Sequence, residues 1–207
     1  MVHITDKRIH AARQAGTPLG HTLSLITHTS SPVRFLILDC PTESTLPIYM
    51  QEFINYHVTT VVRCCQPTYD TKRLNENNIA VVDLPFKDGG VPPPIMINQW
   101  LEVVNQAKLQ AARGETDHVT IAVHCVAGLG RAPVLVAIAL IELGMAPLDA
   151  IAYIREKRRG AFNKPQIMFL DSYQLSSSHS TYSLRSSLGR MFGFGPKTTY
   201  TVVSQQT

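Results

Sequence analysis

A cysteine and an arginine six residues apart frame the segment of this chain that is best suited to chemistry. Cys125 follows a short apolar run, Arg131 opens a longer one, and two glycines lie between them. Glycines permit a tight turn in which backbone N–H groups converge, and the start of a helix adds a positive field. That field favours a thiolate, and a guanidinium can hold two oxygens of a tetrahedral anion. The pattern predicts attack of Cys125 on phosphorus to form a cysteinyl-phosphate. The predicted phosphate-binding residues are Val126, Ala127, Gly128, Leu129, Gly130 and Arg131.

The segments around this loop alternate between strand and helix patterns. Short apolar runs rich in β-branched residues predict strands over 33–38, 59–64, 79–83 and 119–124. Helical patterns cover 46–56, 97–114, 131–143, 148–160 and 165–173. This alternation predicts an α/β fold with a central, mostly parallel sheet flanked by helices. The loop that begins at Cys125 then lies between the end of a strand and the start of a buried helix.

The composition is that of a folded globular protein. Of 207 residues, 44% are hydrophobic and 16% are charged, which excludes wholesale disorder. The net charge of +4 is small for a dedicated nucleic-acid binder, and no apolar run reaches the roughly 18 residues of a membrane span. Four irregularly spaced cysteines predict free thiols rather than a disulfide scaffold. The scattered histidines predict no metal site, and no cofactor is expected.

Three parts are expected along the chain. An N-terminal extension covers 1–30, the catalytic domain covers 31–173, and a serine- and threonine-rich basic tail covers 174–207 and is expected to be loose. Residues 1–30 lack the apolar core of a secretory signal. The last four residues contain no cysteine for prenylation, so a cytoplasmic protein is predicted, at most peripheral at membranes.

Longer motifs carry a family resemblance. The Cys-x5-Arg loop resembles that of the cysteine-dependent protein tyrosine phosphatases. Four runs further resemble the phosphatases of regenerating liver, or type IVA: HCVAGLGRAPVLVA from His124, VTTVVR from Val58, YDT from Tyr69 and REKRRGAFN from Arg155. The resemblance covers about residues 34–173. It implies the dual-specificity type of phosphatase fold and hydrolysis of phosphoprotein esters, and leaves the choice between phosphotyrosine and phosphoserine or phosphothreonine open.

The same resemblance implies further catalytic residues. The family pattern Trp-Pro-Phe-Asp-Asp-Gly assigns the general acid to Asp88 and leaves Asp83 a structural role. Leu84 stands where the family has Trp and Lys87 where it has the first Asp, so the effect on loop closure stays open. Ala132 replaces the Ser or Thr of most relatives and cannot donate a hydrogen bond to the leaving sulfur, which implies slow turnover.

Two of the other three cysteines have predicted roles that depend on the family. Cys65 aligns with the type IVA cysteine that forms a reversible disulfide with the nucleophile, and is therefore the predicted redox partner of Cys125. Cys40 is expected to be chemically inert. An ion pair between Arg63 and Asp70 is a further expectation.

Four basic residues form a cluster near the end of the helix predicted over 148–160. This cluster is either a solvated helix end or a weak contact site for an anionic membrane surface. Its members are Arg155, Lys157, Arg158 and Arg159.

Type IVA proteins also bind CBS-pair domains of magnesium transporters, so the pocket could instead hold an acidic loop of such a partner. A phosphoinositide phosphatase is disfavoured, because such enzymes tend to carry lysines where this loop has Ala127 and Leu129.

Overall fold

The computed structural model describes Leu19, residues 22–114 and residues 118–176. Five strands form one sheet in the order β1-β2-β5-β3-β4. The strands are β1 Ser24–Ile26, β2 Val33–Leu38, β3 Val58–Arg63, β4 Ala80–Asp83 and β5 Val119–His124. The central strand β5 pairs parallel with β2 and with β3, and β4 pairs parallel with β3. β1 pairs antiparallel with β2 at one edge of the sheet. The predicted α/β fold with a mostly parallel sheet is confirmed.

Helices cover both faces of the sheet. They are α1 Leu46–Asn55, α2 Lys72–Glu76, α3 Pro94–Ala112, α4 Arg131–Glu142, α5 Pro147–Lys157 and α6 Lys164–Asp171. Successive side chains of a strand point to opposite faces, so β2 contributes Phe35 to one core and Leu36 to the other. The larger core contains residues of α3 to α6, and the smaller contains residues of α1 and α2. Both faces are therefore buried, which explains the continuous apolar strands.

The start of the domain differs from the prediction. β1 was expected to be part of an extension ending at residue 30, but Leu25 pairs with Leu36 of β2, and Ile26 is fully buried. Three residues are too few for a period-two pattern to be legible, whereas pairing with a buried strand stabilises them. Residues 1–18 and 177–207, which hold most of the predicted extension and tail, lie outside the described residues.

The strand order determines where the site lies. Because β5 is central and runs parallel to β2 and β3, the carboxyl ends of the three strands lie side by side. Ligands of open α/β sheets bind at such an edge. Within the described part of the chain, no helix has the length and hydropathy to cross a membrane.

Candidate active site

The loop from Cys125 to Arg131 connects β5 to α4. Cys125 comes directly after β5 and is 3% exposed. Gly128 has φ +67°, and a Cβ there would lie 2.5 Å from the Leu38 carbonyl oxygen and also clash with the Arg158 guanidinium. Both the conformation and the close approach therefore require glycine at this position.

The carbonyl groups of this loop are all hydrogen-bonded to its surroundings. The oxygens of Val126, Leu129 and Gly130 accept from the backbone N–H groups of Cys40 (2.9 Å), Phe162 (2.8 Å) and Val134 (3.1 Å). Arg158 donates to the other two, from Nε to Gly128 O at 2.5 Å and from Nη2 to Ala127 O at 3.2 Å. None of the N–H groups of residues 126–130 donates to another described residue. The backbone N–H groups of residues 126–130 are therefore available to bind a ligand.

Arg131 is held in place at the start of α4. Its side chain is 7% exposed, and Nη1 donates to the carbonyl oxygens of Cys64 (3.0 Å) and Phe86 (3.2 Å). Nη2 lies 3.1 Å from Oδ1 of Asp88. Nε is buried without a hydrogen-bond partner among the described residues. A buried, unpaired donor is costly, and an oxyanion ligand would satisfy it.

Asp88 lies on a loop that is attached to the site at several points. Asn163 Nδ2 donates to Gly89 O at 2.8 Å, and Gln166 Nε2 donates to Gly90 O at 2.9 Å. The Asp88 side chain is 81% exposed, so it can meet a substrate from the solvent side. The predicted acid is therefore brought to the predicted phosphate-binding arginine.

The two departures from the family motif have different environments in this loop. Leu84 is buried in the larger core, whereas Lys87 is exposed. Leucine in place of the family's tryptophan therefore still anchors the start of the loop.

Asp83 belongs to a separate ion pair. Arg63 Nε and Nη2 donate to its two carboxylate oxygens at 2.6 and 2.7 Å, and this hydrogen-bonded pairing lowers the pKa of Asp83. The expected pairing of Arg63 with Asp70 is wrong: the Asp70 carboxylate instead accepts from the Lys72 backbone at 2.6 Å. β3 and β4 are neighbours with Arg63 and Asp83 in register, which brings the two charges together.

His124 links the loop to the region after β3. Its Nε2 lies 2.7 Å from the Tyr69 hydroxyl, and its Nδ1 lies 3.3 Å from the Cys125 carbonyl oxygen. Burial raises the pKa of Tyr69, so its phenol stays protonated. Through these two contacts the imidazole connects the residue before the loop with the segment after β3.

The remaining cysteines are all near this edge. Burial raises the pKa of Cys64, and the Coulombic effect of the nearby Cys125 is the second cause. Cys65 Sγ lies 3.7 Å from Cys40 Sγ and 4.0 Å from His124 Nδ1. These three groups form a cluster that could hold a soft metal ion, although no metal site is predicted from the sequence.

The predicted basic cluster is only partly a surface feature. Arg158 is 8% exposed and, besides the loop carbonyls, donates to Thr22 O at 2.8 Å. The predicted contact of Arg158 with a membrane is therefore wrong, because its guanidinium is buried and donates its hydrogen bonds to these carbonyl oxygens. Arg155, Lys157 and Arg159 are exposed. Arg155 also donates from Nε to Ala161 O at 3.0 Å.

Sequence reasoning missed two contributors to the site. Arg158 donates to the loop carbonyl of Gly128 although it lies 30 positions further along the chain. In the sequence it is one basic residue among several, so no pattern distinguishes it from its neighbours. Cys40 was expected to be inert, yet its backbone binds Val126 and its sulfur contacts Cys65. Ala132, fully buried in the first turn of α4, lies where the sequence predicts it.

Comparison with known proteins gives a consistent result. Residues 27–182 match the family described as Swiss Army Knife protein, DSP-PTPase phosphatase domain. "Probable protein tyrosine phosphatase type IVA A" of Dictyostelium discoideum is 48% identical over 73% of this chain and 88% of its own length. Protein tyrosine phosphatase type IVA 3 of Homo sapiens is 51% identical over 69% of this chain and 79% of its own. A solved protein tyrosine phosphatase of Leishmania major superposes with a TM-score of 0.67 at 41% identity, covering 73% of this chain and 98% of that one.

Proposed function

The chain belongs to the type IVA protein tyrosine phosphatases, and from this premise we propose that it hydrolyses phosphoprotein esters through a cysteinyl-phosphate on Cys125, with slow turnover. One observation carries the proposal. The carbonyls of residues 126–130 are hydrogen-bonded to the surrounding structure, while their N–H groups and Arg131 Nε remain without described partners. A tetrahedral phosphate supplies the acceptors that these donors lack.

In the first step, the Cys125 thiolate attacks phosphorus and the bond to the leaving oxygen breaks. Asp88 gives that oxygen a proton, and its position 3.1 Å from Arg131 and its exposure to solvent support this role. In the second step, water attacks the phosphocysteine, Asp88 takes a proton from the water, and Cys125 leaves as a thiolate. The side chain of Ala132 offers no hydrogen bond to the departing sulfur, which makes the second step the slow one.

Stopped-flow hydrolysis of an aryl phosphate tests this proposal. Wild type should release about one equivalent of phenol per enzyme in a burst, followed by a slow steady state. Cys125→Ser should show neither phase, whereas Cys64→Ser, a matched change at a fully buried neighbouring thiol, should keep the burst. A wild-type time course without a burst would contradict the slow second step.

A binding role of the same pocket is the second candidate. Val126 and Leu129 are 60% and 39% exposed beside the buried Arg131, so an apolar rim surrounds a cationic centre. An acidic loop of a partner, such as the CBS-pair domain of a magnesium transporter, would complement that arrangement. Arg131→Met should abolish binding of a purified CBS-pair domain, whereas Cys125→Ser should preserve it. Equal binding by Arg131→Met and wild type would eliminate this role.

Two further predictions belong to this proposal. Cys65 is the proposed redox partner of Cys125, supported by its place at the end of the neighbouring strand β3. A cytoplasmic location, with weak electrostatic contact of Arg155, Lys157 and Arg159 with anionic membranes, stays a prediction. Sedimentation with vesicles containing phosphatidylserine, at low and high salt, measures this contact.

A further inference from the structure

Three thiols meet at the carboxyl edge of the sheet. Cys40 lies two residues beyond β2, Cys65 two residues beyond β3, and Cys125 one residue beyond the central strand β5. The Cys40 N–H donates to Val126 O at 2.9 Å, so the segment after β2 is attached to the phosphate loop. Cys65 lies on the opposite side of β5, yet its Sγ is only 3.7 Å from Cys40 Sγ. The two sulfurs therefore meet across the end of β5.

The two thiols of this pair differ in chemistry. Hydrogen bonds from Cys65 and from His124 lower the pKa of Cys40, and they outweigh the opposing effect of burial. The bond to Cys40, together with burial, raises the pKa of Cys65. Cys40 is half-buried, so small solutes can reach it, whereas Cys65 is 5% exposed. Cys40 is thus the sulfur that a peroxide can reach, and Cys65 is the buried thiol beside it.

We propose that Cys40 and Cys65 are a redox pair of this protein, which hydroperoxides convert to a Cys40–Cys65 disulfide that leaves Cys125 reduced. The Cys40 thiolate attacks the terminal oxygen of the hydroperoxide, and the O–O bond breaks. Hydroxide leaves from hydrogen peroxide, or an alkoxide from an organic hydroperoxide, and Cys40 becomes a sulfenic acid. The Cys65 sulfur then attacks Cys40 Sγ. The S–O bond breaks, and the hydroxyl group leaves as water with the proton of Cys65. One peroxide is reduced and two thiols are oxidised.

A second route ends at the same disulfide. If Cys125 is oxidised first and is captured by Cys65, the Cys40 thiolate attacks Cys65 Sγ. The Cys65–Cys125 bond then breaks, and Cys125 leaves as a thiolate. This route, unlike the first, rests on the pairing of Cys65 with Cys125 proposed above. Both routes end with a Cys40–Cys65 disulfide and a reduced Cys125.

The geometry needs only a small change. The two sulfurs must approach from 3.7 Å to about 2.05 Å to form the bond. Cys64, adjacent in sequence, is fully buried in the larger core and faces away from this pair. It therefore serves as the control thiol.

Mass spectrometry tests the pair directly. Reduced full-length protein is treated with one equivalent of hydrogen peroxide in the presence of a metal chelator, blocked with N-ethylmaleimide, and digested without reductant. Wild type should yield a peptide linked through Cys40 and Cys65, with Cys125 alkylated and phosphatase activity largely retained, and Cys64→Ser should yield the same linked peptide. Cys40→Ser should instead accumulate a Cys65–Cys125 link and lose activity until reductant is added.

The products distinguish the Cys40–Cys65 pair from the proposed pairing of Cys65 with Cys125. A wild-type product in which Cys65 is linked to Cys125 while Cys40 is alkylated would overturn the inference. So would Cys40 oxidised to sulfinic acid without a link to Cys65. If Cys40→Ser forms no Cys65–Cys125 link while wild type forms Cys40–Cys65, the redox pair stands and the proposed pairing of Cys65 with Cys125 fails. The linked peptide is measured in wild-type protein, so this test does not depend on the folding of any variant.

Discussion

Arg158 offers the sharpest test of how the phosphate loop is held. Its guanidinium is 8% exposed and donates to Gly128 O at 2.5 Å, Ala127 O at 3.2 Å and Thr22 O at 2.8 Å. Arg158→Met keeps the length and the apolar stem of the side chain but leaves these carbonyls without their donor. The matched control is Arg159→Met, since Arg159 is the adjacent arginine and is exposed.

The magnitude follows from the lost hydrogen bonds. Bonds to a charged donor contribute about 1.5–3 kcal/mol each, but burial lowers the pKa of Arg158, which indicates that part of this gain is offset by desolvation. We therefore expect Arg158→Met to lower the free energy of unfolding by about 3 kcal/mol. A displaced loop should also lower kcat/KM for an aryl phosphate by about 100-fold, because errors of about 1 Å in positioning have effects of that size.

Urea unfolding and steady-state kinetics measure the two effects, and competitive inhibition by vanadate reports on the loop itself. Arg158→Met should weaken vanadate binding, whereas Arg159→Met should match wild type in all three measurements. If Arg158→Met behaves as Arg159→Met does, the loop does not depend on this support and the reasoning is refuted. A loss of stability with unchanged kcat/KM and vanadate binding would assign Arg158 to the fold alone.

Three further changes test individual residues. Asp88→Asn should lower kcat/KM for phenyl phosphate, which reports on the first step, by about 100-fold but should affect kcat/KM for p-nitrophenyl phosphate much less, because the better leaving group needs no proton; equal losses of kcat/KM with both substrates would contradict the role of Asp88 as acid. Ala132→Ser should raise the steady-state rate without changing the burst, as measured by stopped flow, and no gain would refute the explanation of slow turnover. Asp83→Asn should lower the free energy of unfolding by about 1–2 kcal/mol at neutral pH, a value discounted because the Asp83 side chain is 45% exposed. The folded-state pKa of Asp83 lies below its unfolded value, so the stabilisation is present above about pH 4 and is lost as pH falls through the folded pKa; a difference in urea unfolding that does not shrink as the pH falls below about 4 would contradict the ion pair as its source.

The sequence predicted the parts of this protein whose signals are local. β5, the loop after Cys125 and the buried helix α4 are contiguous, and their glycines and apolar runs mark their boundaries within a few residues. β1 could not be predicted, because its three residues form a strand only by pairing with β2. The role of Asp83 as the partner of Arg63 depends on strand order, which no local pattern contains.

Long-range contacts explain the remaining differences. Arg158 looks like its basic neighbours in the sequence, and only the packing of α5 beneath the loop assigns it to the interior. Cys40 has no motif around it, and its chemistry comes from Cys65 and His124, which follow or end other strands. Such contacts bring together residues from different segments, so composition and periodicity carry no signal for them.

The central claim is that Cys125 carries the phosphoryl group between the two steps. Acid quench of wild-type protein during the burst with an aryl phosphate, followed by digestion and mass spectrometry, locates that group directly. One phosphoryl group is expected on the peptide containing Cys125, on its sulfur, and none in Cys125→Ser. A phosphoryl group on any other residue, or a quenched protein without one despite a burst, would rule out Cys125 as the carrier.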